Sequence, residues 1–354
     1  MKKAIFFVNG DTNHDSRFYT GEKRFPVGIG FMISILIKNG WHVDLCDRFL
    51  NKEKWVNVKD YDFIGVYTSS VCFKDALYIM EKSNKERKKG SILAVGGPHA
   101  SLYPDTFPNY IDHIVRGEGE EIIIDLANGI IKEKIIETKR ILDLDYLPFS
   151  PWDIYMQNKG YHTNSSFDKV QPVWNMNTSR GCPFNCKFCH VSDIWGKKIV
   201  GMSAERIVDE ISYIKNKYNV QGIYFREDLF TYSKKRILDF CELNNKSTNI
   251  KWYCESRVDL DEEMIKTMKE SGCSGLYLGV ESGSQKMLDF YNKKTTVDQI
   301  ISFFDILHKY QIPTYASFVV GHSIETKKDI DETNNLIKKI KPSFYYKNTY
   351  REDF

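Results

Sequence analysis

Short apolar runs alternate with longer amphipathic stretches along the chain. "AIFFVN" (residues 4–9) is a continuous apolar run of strand length. "PVGIGFMISILIKNG" follows from Pro26 to Gly40, with the proline start and glycine stop of a helix. "HVDLCD" predicts the next strand, and "DFIGVYTSS" (residues 62–70) another, ending in small polar residues. Residues 74–89 predict a helix with Ala76, Leu77, Ile79 and Met80 on its apolar side. "SILAVGGPHAS" reads as a strand entering a glycine-rich turn, and "HIVRGEGEEIIIDLANGI" as strand, turn and helix. This alternation argues for a parallel, doubly wound sheet. Ligands of such sheets bind beyond the carboxyl ends of the strands, which here are residues 67–70, 96–99 and 117–120.

Residues 142–172 break the rhythm with prolines and polar clusters, as an ordered linker does. A second alternating set then begins with "PVWNMNTSR". Ser203 caps a helix carrying Ile207, Ile211, Ile214 and Tyr218 on one face. "GIYFRED", "IKWYCESR", "GLYLGVESGS", "TYASFVVGHS" and "SFYYKN" predict further strands. Between them lie helices begun by Ser233, Asp261, a Thr296–Gln299 capping box, and Thr326. Six strand–helix units predict an incomplete barrel rather than a closed one of eight. The domains expected are therefore residues 1–141, a linker at 142–172, and 173–354.

A length of 354 residues fits two domains. A net charge of +3 gives no strong nucleic-acid signal. The longest apolar stretch, residues 27–37, is broken by Gly28, Gly30 and Ser34. It falls short of the about 20 apolar residues that a membrane helix needs. With no signal peptide at the start, the expected location is cytoplasmic. Eight cysteines are too sparse for a secreted disulfide scaffold. Five of them (Cys46, Cys72, Cys241, Cys254, Cys273) are scattered among apolar residues and read as small buried hydrophobes.

The other three are clustered in "SRGCPFNCKFCH" (residues 179–190), as Cys182, Cys186 and Cys189. Soft thiolates at C-x3-C-x2-C spacing suit zinc or an iron–sulfur cluster. A structural zinc site wants a fourth protein ligand, and His190 is adjacent to Cys189, where convergence on one ion is rare. A ferredoxin-type cluster wants four cysteines. Three thiolates on a four-iron cluster leave one iron open for a small molecule. A redox-sensing thiol loop is the remaining reading.

"CPFNCKFC", with Phe188 before the last cysteine, resembles the hallmark loop of radical S-adenosylmethionine (radical SAM) enzymes. "IYFREDLFT", "KWYCESRVDLDEEMIKTMKESGC", "LYLGVESGSQKML" and "ASFVVGHSIETKKDI" are similar to the barrel shared by methylthiotransferases and cobalamin-binding members. "GGPHASLYPD", "HIVRGEGEE" and "LDYLPFSPWD" resemble the cobalamin (B12)-binding domain that precedes that barrel. The resemblance covers nearly the whole chain. It implies an α/β protein with a Rossmann-like, cobalamin-binding-type parallel sheet followed by a partial (β/α)6 TIM-type barrel.

The resemblance implies a 4Fe-4S cluster on Cys182, Cys186 and Cys189, whose open iron binds S-adenosylmethionine, with Phe188 near the adenine. Glu227 and Asp228 match the contacts to the methionyl group. Arg257 stands where it could clamp a carboxylate, with a rim pair to Asp259 or Glu255 as the plainer reading. Glu281 and Ser282 match the ribose position, and Gly321 lies near the adenine. For the corrinoid, Ser69, Ser70, Gly96, Gly97, His99, Gly117 and Glu118, within the run 117–120, are the candidates, small residues letting a flat ring approach the backbone. No D-x-H-x-x-G stretch supplies a lower histidine; His14, His42, His99 and His113 are ligands by type only.

Two departures stand out. The usual G-x-P-G-E-T turn reads "GHSIET", which puts the turn geometry in question while keeping Glu325 and Thr326. The sequence also ends at Phe354, just past the sixth strand, so closure of the barrel is expected from a partner, a peptide substrate or the N-terminal domain.

The first functional expectation is cobalamin-dependent C-methylation of an unactivated carbon. One S-adenosylmethionine methylates the corrinoid and a second generates the 5′-deoxyadenosyl radical. An electron donor such as flavodoxin or ferredoxin, and a small-molecule or peptide substrate, complete it. The second is a methylthiotransferase-like, cyclase or rearrangement enzyme with a degenerate N-terminal domain. Methylthiotransferases bring three further cysteines there, and this chain has only Cys46 and Cys72. The third is an iron–sulfur or cobalamin sensor, or a zinc-stabilised binding module.

Overall fold

The computed structural model describes residues 1–10, 26–157, 161, 165 and 167–350. The chain divides into two units: Met1–Leu142 with Tyr146–Tyr161, and Asp143–Asp145 with His162–Phe354.

The first unit is built on β1 (Lys3–Val8), β2 (His42–Asp47), β3 (Phe63–Tyr67), β4 (Ile92–Gly96), β5 (His113–Arg116) and β6 (Ile135–Glu137). Their order is β2-β1-β3-β4-β5-β6, and every pairing is parallel. Parallel strands covered on both faces should be apolar throughout; β1 has five consecutive buried residues and β3 four. Around the sheet lie α1 (Val27–Lys38), α2 (Phe73–Glu86), α3 (Pro98–Leu102), α4 (Ile123–Ala127) and α5 (Trp152–Met156). The strand β6 is too short and exposed to announce itself by periodicity.

Two features hold the carboxyl edge of this sheet. The buried Arg48 guanidinium pairs with Asp75 of α2 at 2.8 Å, and Asp75 also accepts from Gly10 N at 2.7 Å. Gly97 has φ +104° and ψ −175°, a region open essentially to glycine alone. A Cβ there would lie 2.7 Å from the Thr68 carbonyl oxygen. Residues 146–161 pack with the same unit: Tyr155 donates to the Pro26 carbonyl at 3.1 Å, and Tyr161 donates to the buried Asp47 at 2.6 Å.

The second unit contains β7 (Val173–Met176), an antiparallel ribbon of β8 (Ser179–Arg180) and β9 (Val200–Gly201), then β10 (Gly222–Phe225), β11 (Lys251–Ser256), β12 (Cys273–Glu281), β13 (Thr314–Val320) and β14 (Phe344–Thr349). The six longer strands pair in parallel as β14-β13-β12-β11-β10-β7, and the edges β7 and β14 do not pair with each other. This is the partial barrel expected from the sequence. Its helices are α6 (Val191–Trp195), α7 (Ala204–Tyr218), α8 (Lys234–Leu243), α9 (Glu262–Glu270), α10 (Gln285–Phe290), α11 (Val297–Lys309) and α12 (Lys327–Ile340). Ser203, Ser233 and Asp261 cap α7, α8 and α9 through their side chains, and Thr296 and Thr326 form capping boxes. Sequence periodicity missed α6 and α10, each under two turns long, and the two-residue ribbon strands.

Alternate residues of a strand face opposite ways. Ile223, Phe225 and Trp252 are buried on the helix side, where Phe225 stacks on Phe230 at 4.1 Å. Tyr224, Tyr253 and Tyr277 face the lumen and gather around Phe167. Replacing Gly97 with Ala should cost about 1–3 kcal/mol from forced backbone strain, read as a lower urea midpoint for the first unit. An unchanged midpoint would contradict this backbone geometry.

Candidate functional site

The cysteine loop hangs by backbone bonds from neighbouring strand ends. Gly181 N donates to Asp228 beyond β10 at 3.1 Å. Lys187 N donates to the Tyr291 carbonyl at 3.0 Å, and Asn292 Nδ2 donates to the Asn185 carbonyl at 2.8 Å. Phe188 meets Tyr291 edge-on at 5.4 Å and packs with Met287 and Val319. Cys182, Cys186 and Cys189 are half-buried free thiols. Burial raises Cys182 and pushes Cys189 up to about 11, and the three thiols lie close enough to influence one another's charge.

His190 bonds Asp193 at 2.9 Å with its side chain 42% exposed, so it is committed away from the cysteines. Among the described residues, no three His, Cys, Asp or Glu side chains close around a point tightly enough for one metal ion. His190 is therefore not placed as the fourth ligand that a structural zinc site wants. A cube anchored at three irons asks for separate corners, which three thiols on one loop provide.

The strand ends around this loop are polar. Glu227 is buried and accepts from Thr178 Oγ1 at 2.7 Å; burial pushes its carboxyl up, with Arg236 acting against it. Arg236 holds the surrounding frame through Met202 O, Phe230 O and Thr178. Asp228 is exposed. The Arg257 guanidinium lies 3.8 Å from the centre of the Phe184 ring. Its Nε donates to Asp259, Nη1 to Cys186 Sγ at 3.8 Å, and Nη2 to Lys293 O and Thr295 Oγ1. With four of the five guanidinium N–H bonds engaged, no open fork is left for a carboxylate. Arg257 instead stands against the cysteine loop and keeps the Asp259 rim pair.

Glu281 sits at φ +70° and pairs with the buried Lys293 at 2.8 Å. A Cβ at Gly279 would overlap both side chains, which explains the glycine in "LGVE". Ser282 turns away from the cysteine loop, its hydroxyl bonded to Thr333 of α12 at 3.2 Å. At the end of β13, Gly321 N donates to Glu325 Oε2 at 2.6 Å, and Glu325 N donates to His322 O at 2.9 Å. The "GHSIET" turn therefore closes on its own glutamate, while His322 packs against Phe290 and Tyr350.

Among the described residues, Tyr291 Oη and Glu325 Oε1 are buried polar atoms near this loop without a hydrogen-bond partner, and Glu227 Oε2 has none besides the adjacent Ser179 hydroxyl. Buried polar groups are normally paired, so this set fits a polar ligand beside three thiols. The residues fit a cluster and its sulfonium partner. Lys293, Tyr291 and Arg226 are absent from the sequence expectations; the strand alternation Tyr224, Arg226 was the signal available for the last.

In the first unit, the carboxyl edge carries Ser69, Ser70, Gly96, Gly97, Gly117 and the exposed Val71. The nearest atoms to a Cβ built at Gly96 are 3.9 Å away, and Gly117 has φ +95°. Asn9 Oδ1, at the end of β1, is buried without a partner. Small residues, an exposed apolar side chain and an orphaned carbonyl on one edge fit a large, flat, amide-bearing ring. His99 is not open to a metal: its Nδ1 bonds Ser70 at 2.9 Å, its Nε2 bonds Thr106 at 3.0 Å, and it stacks on Phe73 at 3.8 Å. Glu118 is buried, pairing with Arg140 at 2.7 Å and accepting from Ile141 N. His42 bonds Asp44, and His113 bonds the Glu133 carbonyl. His14 lies outside the described residues.

The family model of the radical SAM superfamily matches residues 176–337, and that of the B12 binding domain matches 21–127. An uncharacterized methyltransferase of Pyrococcus horikoshii is 30% identical, covering 89% of this chain and 73% of its own length. The anaerobic magnesium-protoporphyrin IX monomethyl ester cyclase of Cereibacter sphaeroides is 26% identical over 88% of this chain, which spans only 56% of that protein. The radical S-adenosylmethionine methyltransferase TsrM of Kitasatospora setae, solved with cobalamin and a 4Fe-4S cluster, shares the fold with a TM-score of 0.74. It is 14% identical and covers 99% of this chain and 72% of that one. Among the described residues no helix is long and apolar enough to cross a membrane. The two matched domains and the methyltransferase relative support cobalamin-dependent methylation, with a 4Fe-4S cluster, S-adenosylmethionine and cobalamin as cofactors.

Burial holds His99 neutral and lowers its pKa from the usual 6.5. A depressed base stabilises the fold above its unfolded pKa, and that contribution is lost as pH falls through the lower folded value. Amide exchange at the carboxyl ends of β3 and β4 should therefore accelerate below about pH 6.5, and His99→Gln should flatten that dependence. Equal pH profiles for the two proteins would contradict it.

Proposed function

The chain belongs to the radical SAM superfamily, in the branch that carries a B12-binding domain, and from that premise we propose that it is a C-methyltransferase acting on an unactivated carbon. The observation that carries this reading is the pairing of two polar strand edges in one chain. One has three free thiols and unpaired polar atoms on neighbouring turns, and the other is a small-residue edge suited to a corrin ring. When bound, the cofactors supply reductive cleavage of S-adenosylmethionine and a transferable methyl group.

The chain's own residues bind and orient. Cys182, Cys186 and Cys189 hold the cluster, and the anchors at Asp228, Tyr291 and Asn292 fix the loop. Arg257 places a positive charge and an N–H donor at Cys186. Glu227, the Glu281–Lys293 pair and Glu325 offer hydrogen-bonding positions at the strand ends, and Phe188 closes the apolar side. Ser69, Ser70, Gly96, Gly97 and Gly117 receive the corrin face. The domain assignment that goes with this reading is residues 1–141, 142–172 and 173–354. A small-molecule or peptide substrate and a flavodoxin or ferredoxin donor belong to it.

Ring formation is the second reading, favoured by the likeness to the magnesium-protoporphyrin cyclase. Methylthiotransfer is disfavoured because the N-terminal part has only Cys46 and Cys72, both buried, where methylthiotransferases bring three further cysteines.

The test is air-free reconstitution with iron, sulfide and hydroxocobalamin, followed by reduction with S-adenosylmethionine. Retained corrinoid absorbance with both 5′-deoxyadenosine and S-adenosylhomocysteine is expected. Deoxyadenosine without corrinoid retention would shift the reading to the cyclase, and neither signal would overturn both. Cys186→Ala should abolish deoxyadenosine and lower bound iron; unchanged production would remove the ligand assignment.

A further inference from the structure

The lumen of the second unit carries a cation, Arg226, whose side chain has no hydrogen-bond or ion-pair partner among the described residues. Along β10, Ile223 and Phe225 pack toward the helices, so Tyr224 and the next residue of that parity, Arg226, face the lumen. Tyr224 lies flat on Tyr277 at 4.6 Å, and its hydroxyl donates to Glu255. Tyr277 in turn meets Tyr315 at 5.5 Å, while Tyr253 donates to Asp168. These aromatics make a floor.

Above that floor the lumen is polar. Glu255 lies two residues beyond Tyr253 on the same face, and Ser317 accepts from Asn348 at 2.9 Å. Arg226 stands at this level, half-buried, with Nη1 fully shielded and without a hydrogen-bond partner. Its guanidinium centre is 5.9 Å from the Tyr224 ring. No ion pair or hydrogen bond of its side chain occurs among the described residues. Buried arginines elsewhere have partners: Arg48 in Asp75, Arg206 in Glu210, Arg236 in three carbonyls, and Arg257 in Asp259 and Lys293 O. A shielded N–H left unpaired carries a desolvation cost that an acceptor would offset. Glu255, across the sheet, accepts from the Tyr224 hydroxyl.

We propose that Arg226 is the anchor for an anionic substrate group. On this inference, which rests on the methyltransferase reading, the barrel accepts a substrate bearing a carboxylate or phosphate. Arg226 grips that group above the Tyr224–Tyr277 floor. Its planar fork matches either oxyanion. The residue is specificity-determining rather than catalytic, since it orients the substrate through a group remote from the reacting carbon.

The test uses reconstituted full chain, air-free, saturated with S-adenosylmethionine so that the cofactor's own carboxylate is already placed. Titration calorimetry follows benzoate, inorganic phosphate and neutral benzamide. Wild type should bind benzoate or phosphate, whichever matches the substrate's anion, and should bind benzamide at least tenfold more weakly. Arg226→Gln should lose at least tenfold in anion affinity, and Arg226→Lys should recover part of it. Equal anion affinity in wild type and Arg226→Gln would overturn the proposal, as would no anion binding by wild type. So would a variant whose only loss is affinity for S-adenosylmethionine. Deoxyadenosine formation measured on the same samples separates the two claims. Its absence in wild type refutes the enzyme reading, whereas its presence with unaltered anion binding refutes only the role of Arg226.

Discussion

Parallel pairing is the constraint on which the molecule depends. Every strand of both main sheets runs the same way, so the carboxyl ends of each sheet collect on one edge. The interior positions of a covered parallel sheet must be apolar. Chemistry is left to the turns beyond the strands. In the second unit that edge receives the cysteine loop, Glu227, Arg257, Glu281 and Gly321 from five successive strand ends. In the first it receives Asn9, Ser69, Gly96 and Gly117 from four.

The same constraint explains how a loop with little regular structure is held still. Three of its residues bond to groups on other turns, Gly181 to Asp228 beyond β10, and Asn185 to Asn292 and Lys187 to Tyr291 after α10. Residues 291 and 292 follow α10, which is placed by the Ser282–Ser284 turn. That turn is fastened to α12 through Thr333 and through Asp329, which accepts from Ser284 Oγ at 2.6 Å. Lys286 and Thr326 hold the Asp329 carboxyl well below the usual carboxylate range, so this tie stays ionised at any ordinary pH. The cysteine loop thus rests on a chain of hydrogen bonds that reaches α12.

Much of this was legible in the amino-acid order because the signals are local. Pro26 and Gly40 bracket α1, and Thr296 with Gln299 forms the capping box the spacing implies. The cysteine spacing and Phe188 identify the loop. The remainder depends on partners distant in sequence. Nothing local tells that His99 spends both ring nitrogens on Ser70 and Thr106, or that Lys293 will bury itself against Glu281. Arg257 shows the limit most clearly. The sequence offered a rim pair with Asp259 or an open fork for a carboxylate. Folding fills the fork with Lys293 O, Thr295 and Cys186 while keeping the Asp259 contact. Contacts across 36 to 71 residues are invisible to periodicity.

Satisfied and unsatisfied polar groups therefore carry different meanings. Arg48, Arg236, Glu118 and Asp75 are buried with partners and act as fastenings. Replacing one partner of such a pair strands the other and weakens the fold. Arg226, Tyr291 and Glu325 each keep a buried polar atom with no hydrogen-bond partner among the described residues. A fold selected only for stability would pair these atoms or replace them with apolar ones, since an unpaired buried polar atom is a net loss. Their place on the turns of the second unit puts the deficit where a charged and hydrogen-bonding guest can remove it. Binding energy at such a site comes from completing bonds whose desolvation cost was met when the chain folded, which is the physical content of preorganisation.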